Sequence, residues 1–301
     1  MVSRRDFLKI TGSAAGTAAL TSVGAQASGP PVDLDPDRFG VLTDTTLCIG
    51  CRRCEWACAE QNDLPHGNLE SFGDSSVFTE ERRPSRTQYT VVNRYDPPAG
   101  SQKPMDVKVQ CLHCEHPACV SACIVKALEK SPQGPVVYDA WKCIGCRYCM
   151  IACPFQIPAY EYDNALTPRV MKCTLCSERT LEEGRAPACV EMCPPEALVF
   201  GRRSELLELA HRRIVENPGR YHPEVIGEHI AGGTSWLMLS DRPPTEIGIP
   251  ELPDQSPAVI TETIQHGIFK GFTGPIMLFG VLSVLMKSSS DRRKEKEEDD
   301  V

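Results

Sequence analysis

The run Cys143-Ile144-Gly145-Cys146-Arg147-Tyr148-Cys149-Met150-Ile151-Ala152-Cys153-Pro154 decides how the rest of the chain is read. Three cysteines fall at intervals of three, a fourth follows after three more residues, and a proline closes the run. Four thiolates delivered by one short loop at this spacing suit a [4Fe-4S] cluster. Related runs begin at Cys48, Cys111 and Cys173, so all 16 cysteines fall into four groups of four. A chain of this kind carries electrons.

Just upstream, Cys111-Leu112-His113-Cys114-Glu115-His116-Pro117-Ala118-Cys119-Val120-Ser121-Ala122-Cys123 repeats the pattern with a wider gap between Cys114 and Cys119. Between the two runs come Lys126 to Lys130, a Ser131-Pro132-Gln133-Gly134 turn and Val136-Val137-Tyr138, which predict a hairpin. A hairpin between two cluster loops is the plan of a two-cluster ferredoxin, in which the last cysteine of each run reaches across to the other cluster. On that plan Cys111, Cys114, Cys119 and Cys153 form one set, and Cys143, Cys146, Cys149 and Cys123 another. The outer runs are Cys48, Cys51, Cys54 and Cys58, then Cys173, Cys176, a gap of 12 residues, Cys189, Cys193 and Pro194. With the central runs paired, the outer ones are left for each other: Cys48, Cys51, Cys54 with Cys193, and Cys173, Cys176, Cys189 with Cys58. The expected fold is α+β, with one ferredoxin-like two-cluster unit nested inside another, insertions between them, and one C-terminal transmembrane helix. His113 and His116 lie among thiolates enough for the cluster, so they are expected to be hydrogen-bonding neighbours or solvent-facing residues rather than ligands.

The intervening stretches carry weaker signals. Tyr89 to Asn93 and Val107 to Val109 flank Asp96-Pro97-Pro98-Ala99-Gly100 and predict a hairpin with a long loop. Residues 61–87 are polar, with Arg82, Arg83 and Arg86 close together, and read as a solvated loop or a docking surface for a partner. The 12-residue gap before Cys189 reads as a polar insertion. Ala197 to Phe200 predicts a strand, Ser204 to Val215 a capped amphipathic helix, and Gly232 to Leu239 a further strand. Residues 241–257 carry five prolines and are expected to form an extended surface linker.

The two ends address the protein. Arg4-Arg5, a mildly apolar stretch and Ala25-Gln26-Ala27 form a twin-arginine signal with its cleavage site, so the mature chain starts near Ser28. Its removal moves the formal charge from -8 to -10, which disfavours nucleic acid as a partner. That export route carries proteins already folded around cofactors, which reconciles an exported chain with thiols reserved for iron. Ile268 to Met286 supplies 19 largely apolar residues, enough to span a membrane, and Lys287, Arg292, Arg293, Lys294 and Lys296 beyond it favour a cytoplasmic C-terminus. The expected order is signal 1–27, first run and hairpin insertion of the outer unit 28–106, inserted unit 107–160, rest of the outer unit 161–216, wrapping segment and linker 217–265, anchor 266–287 and charged tail 288–301.

Composition fits a core organised by cofactors: 41% of residues are hydrophobic, 6% aromatic, and 25 are prolines. Structural zincs or disulfides in an exported binding protein are the alternative, but crowding four thiolates into one loop differs from the separated Cys-x-x-Cys arms of zinc sites. There is no Gly-rich nucleotide loop, no nucleophile with a positioned base and no spare cysteine, so no catalytic site is expected. Arg52, Arg53, Lys142, Arg147 and Lys172 lie beside ligands and would raise nearby potentials if they point inward; solvated surface charge is the other reading.

The cysteine runs, with their gaps at Cys114 to Cys119 and before Cys189, resemble the four-cluster beta subunits of respiratory oxidoreductases over roughly Leu42 to Gly201. The twin-arginine signal, Cys143-x-x-Cys146-Arg147-Tyr148-Cys149-Met150, Glu262 to His266 and Phe269-Lys270-Gly271 are similar to the iron-sulfur subunit of periplasmic, quinone-linked nickel-iron hydrogenases. That resemblance implies four [4Fe-4S] clusters, since every ligand position is Cys. It also implies a relay, at the periplasmic face of the bacterial inner membrane, between a hydrogenase and a membrane quinone-binding subunit. The beta subunit of formate dehydrogenase or another molybdopterin oxidoreductase is the alternative. His266, just before the anchor, reads as an interfacial polar residue or as a neighbour of a quinone site.

Overall fold

The computed structural model describes residues 33–97, 104–164, 166–260, 262–263 and 274–288. The signal, His266, the start of the expected anchor and the tail after residue 288 lie outside the described residues. The chain divides into two compact units, Pro30–Thr261 and a second made of Met1–Gly29 with Glu262–Val301.

In chain order, the strands of the larger unit are β1 (Phe39–Asp44), β2 (Val91–Tyr95), β3 (Met105–Val109), β4 (Leu128–Lys130), β5 (Val136–Tyr138), β6 (Ala159–Tyr160), β7 (Val170–Met171), β8 (Leu198–Arg202) and β9 (Trp236–Leu239). Its α-helices are α1 (Arg53–Gln61), α2 (Ala118–Ser121), α3 (Tyr148–Ala152), α4 (Ala188–Glu191) and α5 (Arg203–Glu216). The central sheet has the order β8-β1-β9, with β1 antiparallel to β8 and parallel to β9. A central strand is covered on both faces, and the alternation of β1 divides its burial accordingly. Val41 packs with Leu112, Phe155, Ile157, Cys173, Cys189 and Trp236. Leu42 joins the other core, with Leu206, Ala210, Val225, Leu237 and Leu239.

Helix α5 presents Leu206 and Ala210, one helical turn apart, to that second core. It is amphipathic as expected but has no side-chain cap; its first N–H, on Arg203, donates instead to the Arg38 carbonyl oxygen at 2.9 Å. The hairpins form as predicted: β2 pairs with β3 from Val91 opposite Val109 to Tyr95 opposite Met105, and β4 pairs with β5.

Two helix pairs give the cluster loops their frame. Helix α1, inside the first run, packs on α4 in the last, and α2 packs on α3 between the two central runs. The inner hairpin meets the outer sheet at its turn, where the Phe39 N–H donates to the Gln133 carbonyl oxygen at 2.8 Å. Gly134, at φ 123°, makes that approach possible, since a Cβ there would collide with the Phe39 carbonyl oxygen.

The segment after α5 is structural. The Ser235 and Trp236 N–H groups donate to the carbonyl oxygens of His113 and Leu112, so the strand that completes the sheet also closes the second cysteine loop. The proline-rich stretch departs from an extended surface linker: a short turn at Pro244–Ile247 buries Ile247 completely, and Ile249 and Leu252 pack on the first core. Apolar residues set between the prolines draw the segment inward. The segment 61–87 is likewise tied down, by short 3-10 turns at Leu69–Gly73 and Ser75–Thr79.

In the second unit, residues 274–288 form a helix on which Ile276, Phe279, Val284 and Met286 are more than half exposed. Among the described residues no helix is long and apolar enough to cross a membrane.

Candidate iron-sulfur centres

The four cysteine runs share a backbone device. The residue before the second cysteine is left-handed in each: Gly50, His113, Gly145 and Leu175, with φ of 66°, 50°, 70° and 55°. Such a residue turns the chain sharply and lets consecutive cysteines belong to one small loop. At the first of these positions glycine is required twice over, because a Cβ on Gly50 would also come within 2.6 Å of Asp106 Oδ2. Three residues beyond Cys123, Cys153 and Cys193, the chain again turns left-handed, at Lys126, Gln156 and Glu196 with φ of 52°, 53° and 51°. The repeat in sequence is therefore a repeat in conformation.

None of the sixteen cysteines is in a disulfide. Burial dominates their chemistry, and neighbouring thiols add to it. Burial pushes Cys48 up to about 11, with Asp106 and then the Cys193 and Cys51 thiolates pushing the same way. Cys48, Cys51, Cys54 and Cys193 also line one cavity, together with Thr43, Val92 and Lys108. Burial raises Cys114 strongly, with Cys111, Cys119 and Cys153 adding to it. Cys149 is lifted by burial to about 11, helped by Cys123, Cys146 and Cys143. Cys58 is raised by burial and then by Cys173, Cys189 and Cys176. Influence also passes between these groups: the largest thiol effect on Cys54 comes from Cys189 and that on Cys173 from Cys111, while Cys119 feels Cys149 after Cys111 and Cys153.

Backbone N–H groups reach several sulfurs. The Ala127 N–H donates to Cys123 Sγ at 3.1 Å and the Leu175 N–H to Cys173 Sγ at 3.4 Å. Backbone hydrogen bonds from Ile157, Phe155 and Gln156 work against burial at Cys153, whose pKa still stands at about 11. Donors aimed at sulfur are among the features that set a cluster's potential.

The donor set fits iron-sulfur clusters. Every group is made of soft thiolates, and burial alone penalises thiolates that no metal stabilises. Among the described residues no three Cys, His, Asp or Glu side chains converge to hold a single metal ion.

The charged residues expected beside the ligands divide. Arg52 is buried, but its guanidinium is taken by Glu55 Oε2 and the Phe72 and Asp74 carbonyl oxygens. Arg53 is exposed, Lys142 pairs at the surface with Glu129 and Asp139, and Arg147 lies over the rings of Tyr160 and Tyr162. Lys172 is buried beside Cys173, donating to the Val136 and Cys173 carbonyl oxygens at 2.6 and 3.0 Å. Arg82, one of the three arginines read as a docking surface, serves the fold by donating to Glu55 Oε1 and the Val92 carbonyl oxygen.

His113 is completely buried; its Nδ1 accepts the Val136 N–H at 2.9 Å, while Nε2 has no partner. Burial, followed by the charges of Lys172, Lys130 and Lys108, holds its pKa well below the usual histidine value, so the ring is neutral. His116 is half-buried, and its carbonyl oxygen accepts the Ser256 hydroxyl at 2.6 Å. Sequence reasoning overlooked Lys108. It stands between two strand valines and gave no signal except its nearness to Cys111, yet it is only 3% exposed.

Comparison with known proteins places this geometry. The 4Fe-4S dicluster domain family matches residues 105–203, and the twin-arginine translocation signal family matches residues 1–21. The Hydrogenase-2 operon protein HybA of Escherichia coli O157:H7 is 34% identical over 323 residues, covering 96% of each chain. The chain belongs to the HybA-type family of iron-sulfur electron-transfer subunits. A protein of Nitratidesulfovibrio vulgaris is 50% identical over 252 residues, 83% of this chain and 67% of that one. The nitrate-inducible formate dehydrogenase iron-sulfur subunit of Escherichia coli K12 is 33% identical over 254 residues, 80% of each. This HybA-type subunit carries multiple [4Fe-4S] clusters and a signal for export to the periplasm.

Proposed function

We propose that this subunit is a four-station electron relay, with no catalytic site of its own, between a nickel-iron hydrogenase and a quinone-binding subunit in the membrane. Four ligand sets are assigned: Cys48, Cys51, Cys54 and Cys193; Cys111, Cys114, Cys119 and Cys153; Cys143, Cys146, Cys149 and Cys123; Cys173, Cys176, Cys189 and Cys58. The observation that carries the assignment is the mutual influence of these thiols: sulfurs from separate runs act on one another in the crossed pattern of two nested ferredoxin-like units. A [4Fe-4S] cluster, when bound, takes up and releases one electron with little change in shape. The chain's part is to hold the sets in sequence. The links Cys54 to Cys189, Cys173 to Cys111 and Cys119 to Cys149 support the order first, fourth, second, third, with the first and third sets at the ends.

Next to the cysteines of the third set in sequence stand exposed apolar side chains, Trp141 97%, Ile151 81%, Ile124 65% and Ile144 61% exposed, which supports a protein partner at that end. The nested units over 28–216, the anchor at 266–287 and a cytoplasmic tail complete the proposal. Support for the anchor comes from apolar side chains exposed along the 274–288 helix, which need lipid or protein around them. The similarity to HybA over the whole chain favours a hydrogenase as donor; that to the formate dehydrogenase subunit keeps a molybdopterin enzyme as the second reading.

The test is made on the complex purified from membranes. Hydrogen is expected to bleach the broad visible absorption of the clusters, and formate to leave it unchanged. Bleaching by formate alone would replace the first reading with the second.

A further inference from the structure

Lys108 lies within β3, between Val107 and Val109, and is 3% exposed. An ammonium group out of water costs several kcal/mol at least, unless opposite charge stands close. Its Nζ donates to Gln110 Oε1 at 3.0 Å and rests 4.4 Å from the centre of the Trp236 ring, and neither group is an anion. Among the described residues no carboxylate forms a salt bridge with it. The groups around it that become anionic on binding iron are cysteines: Lys108 lines the cavity shared by Cys48, Cys51, Cys54 and Cys193, and its charge acts on Cys189, Cys54, Cys173 and Cys58.

The thiols on which its charge acts come from two ligand sets. Cys54 is in the first set, whereas Cys58, Cys173 and Cys189 are in the fourth. The same ammonium that lines the cavity of the first set lies over the Trp236 ring, which packs in one core with Cys173 and Cys189 of the fourth. The other two buried lysines differ in surroundings: Lys130 has Glu115 at 3.8 Å and three neutral oxygen acceptors, and Lys172 is fixed by two carbonyl oxygens.

We infer that Lys108 is a positioning charge shared by the first and fourth cysteine sets, raising the reduction potentials of both clusters together. The inference rests on the ligand sets proposed above. Reduction adds one negative charge to a cluster, and a fixed positive charge beside it in a weakly polarisable interior stabilises the reduced form more than the oxidised one. Sharing one charge keeps the two potentials in step, so that an electron passes between these stations without a large climb. Gln110 holds the ammonium in place, and the Trp236 ring excludes water from it.

Redox titration of the intact complex, followed by electron paramagnetic resonance, compares the wild type with Lys108→Met and Lys108→Arg. In Lys108→Met two of the four midpoint potentials are expected to fall while two stay, and Lys108→Arg, which keeps the charge, moves both back toward the wild-type values. Four unshifted potentials, or an equal shift of all four, would overturn the inference. Should the neutral variant fail to assemble, iron content decides: full iron in Lys108→Arg with loss in Lys108→Met supports a role for charge, and loss in both overturns it. Failure of the ligand sets is seen separately, as fewer than four titrating centres in the wild type.

Discussion

Cys153→Ala is expected to cost the chain the cluster of the Cys111 run, not that of its own run. Cys153 closes the motif that begins at Cys143, and a reading confined to that motif predicts one cluster bound by four consecutive cysteines. The surroundings of the sulfur argue otherwise. Cys153 feels Cys111, and it appears with Cys111 among the thiolates that raise Cys114 and Cys119. Cys123, by contrast, is the thiol that pushes Cys149 up most after burial. With four irons per cluster, the loss of one from four removes about a quarter of the iron. Electron paramagnetic resonance identifies which one goes. Cys153→Ala and Cys114→Ala should abolish the same signal, and Cys146→Ala a different one. A signal lost in common by Cys153→Ala and Cys146→Ala would refute the crossing.

Removal of all iron from the purified subunit is expected to unfold residues 33–260 as well as bleach them. The elements around the clusters are too short to stand alone: α2 and α4 have four residues each, β4 and β5 three, β6 and β7 two. Isolated helices need roughly 12 residues or more to persist in water, and a lone two-stranded hairpin is marginal. Thiols occupy core positions that large apolar side chains would otherwise take. Cys173 and Cys189 sit in the first core, and Cys119 and Cys149 share the inner core with Leu128, Val136 and Val170. Where metal ligation and packing are one structure, the free energy of binding is free energy of folding. Its loss is expected to exceed the ~5–15 kcal/mol by which domains are stable. Near-ultraviolet circular dichroism and limited proteolysis, before and after anaerobic chelation, measure this. An iron-free chain that kept its protease resistance would show that packing alone holds the fold.

What could be read from the sequence depended on how local the cause was. The cysteine loops announced themselves because their spacing is itself the constraint, and the left-handed turns at Gly50, His113, Gly145 and Leu175 repeat it in the backbone. Both hairpins were legible from β-branched runs around turn residues. The pairing of β9 with β1 was not, because a parallel partner almost two hundred residues away is selected by tertiary packing and leaves no local pattern. For the same reason the proline-rich segment read as a linker, although Ile247, Ile249 and Leu252 fold it onto the core. Lys108 was missed because alternation in a strand predicts an outward face, and β3 is covered on both sides. Of the five charges beside the cysteine runs, Arg52 and Arg147 are occupied by Glu55 and by aromatic rings.

Iron and acid-labile sulfide analysis of the anaerobically purified subunit, joined to Mössbauer spectroscopy, tests the four-station relay most directly. About 16 irons and 16 sulfides per chain, all in four-iron clusters, are predicted from the sixteen thiols. Stoichiometric zinc, or iron sufficient for only one or two clusters in a fully folded chain, would contradict it.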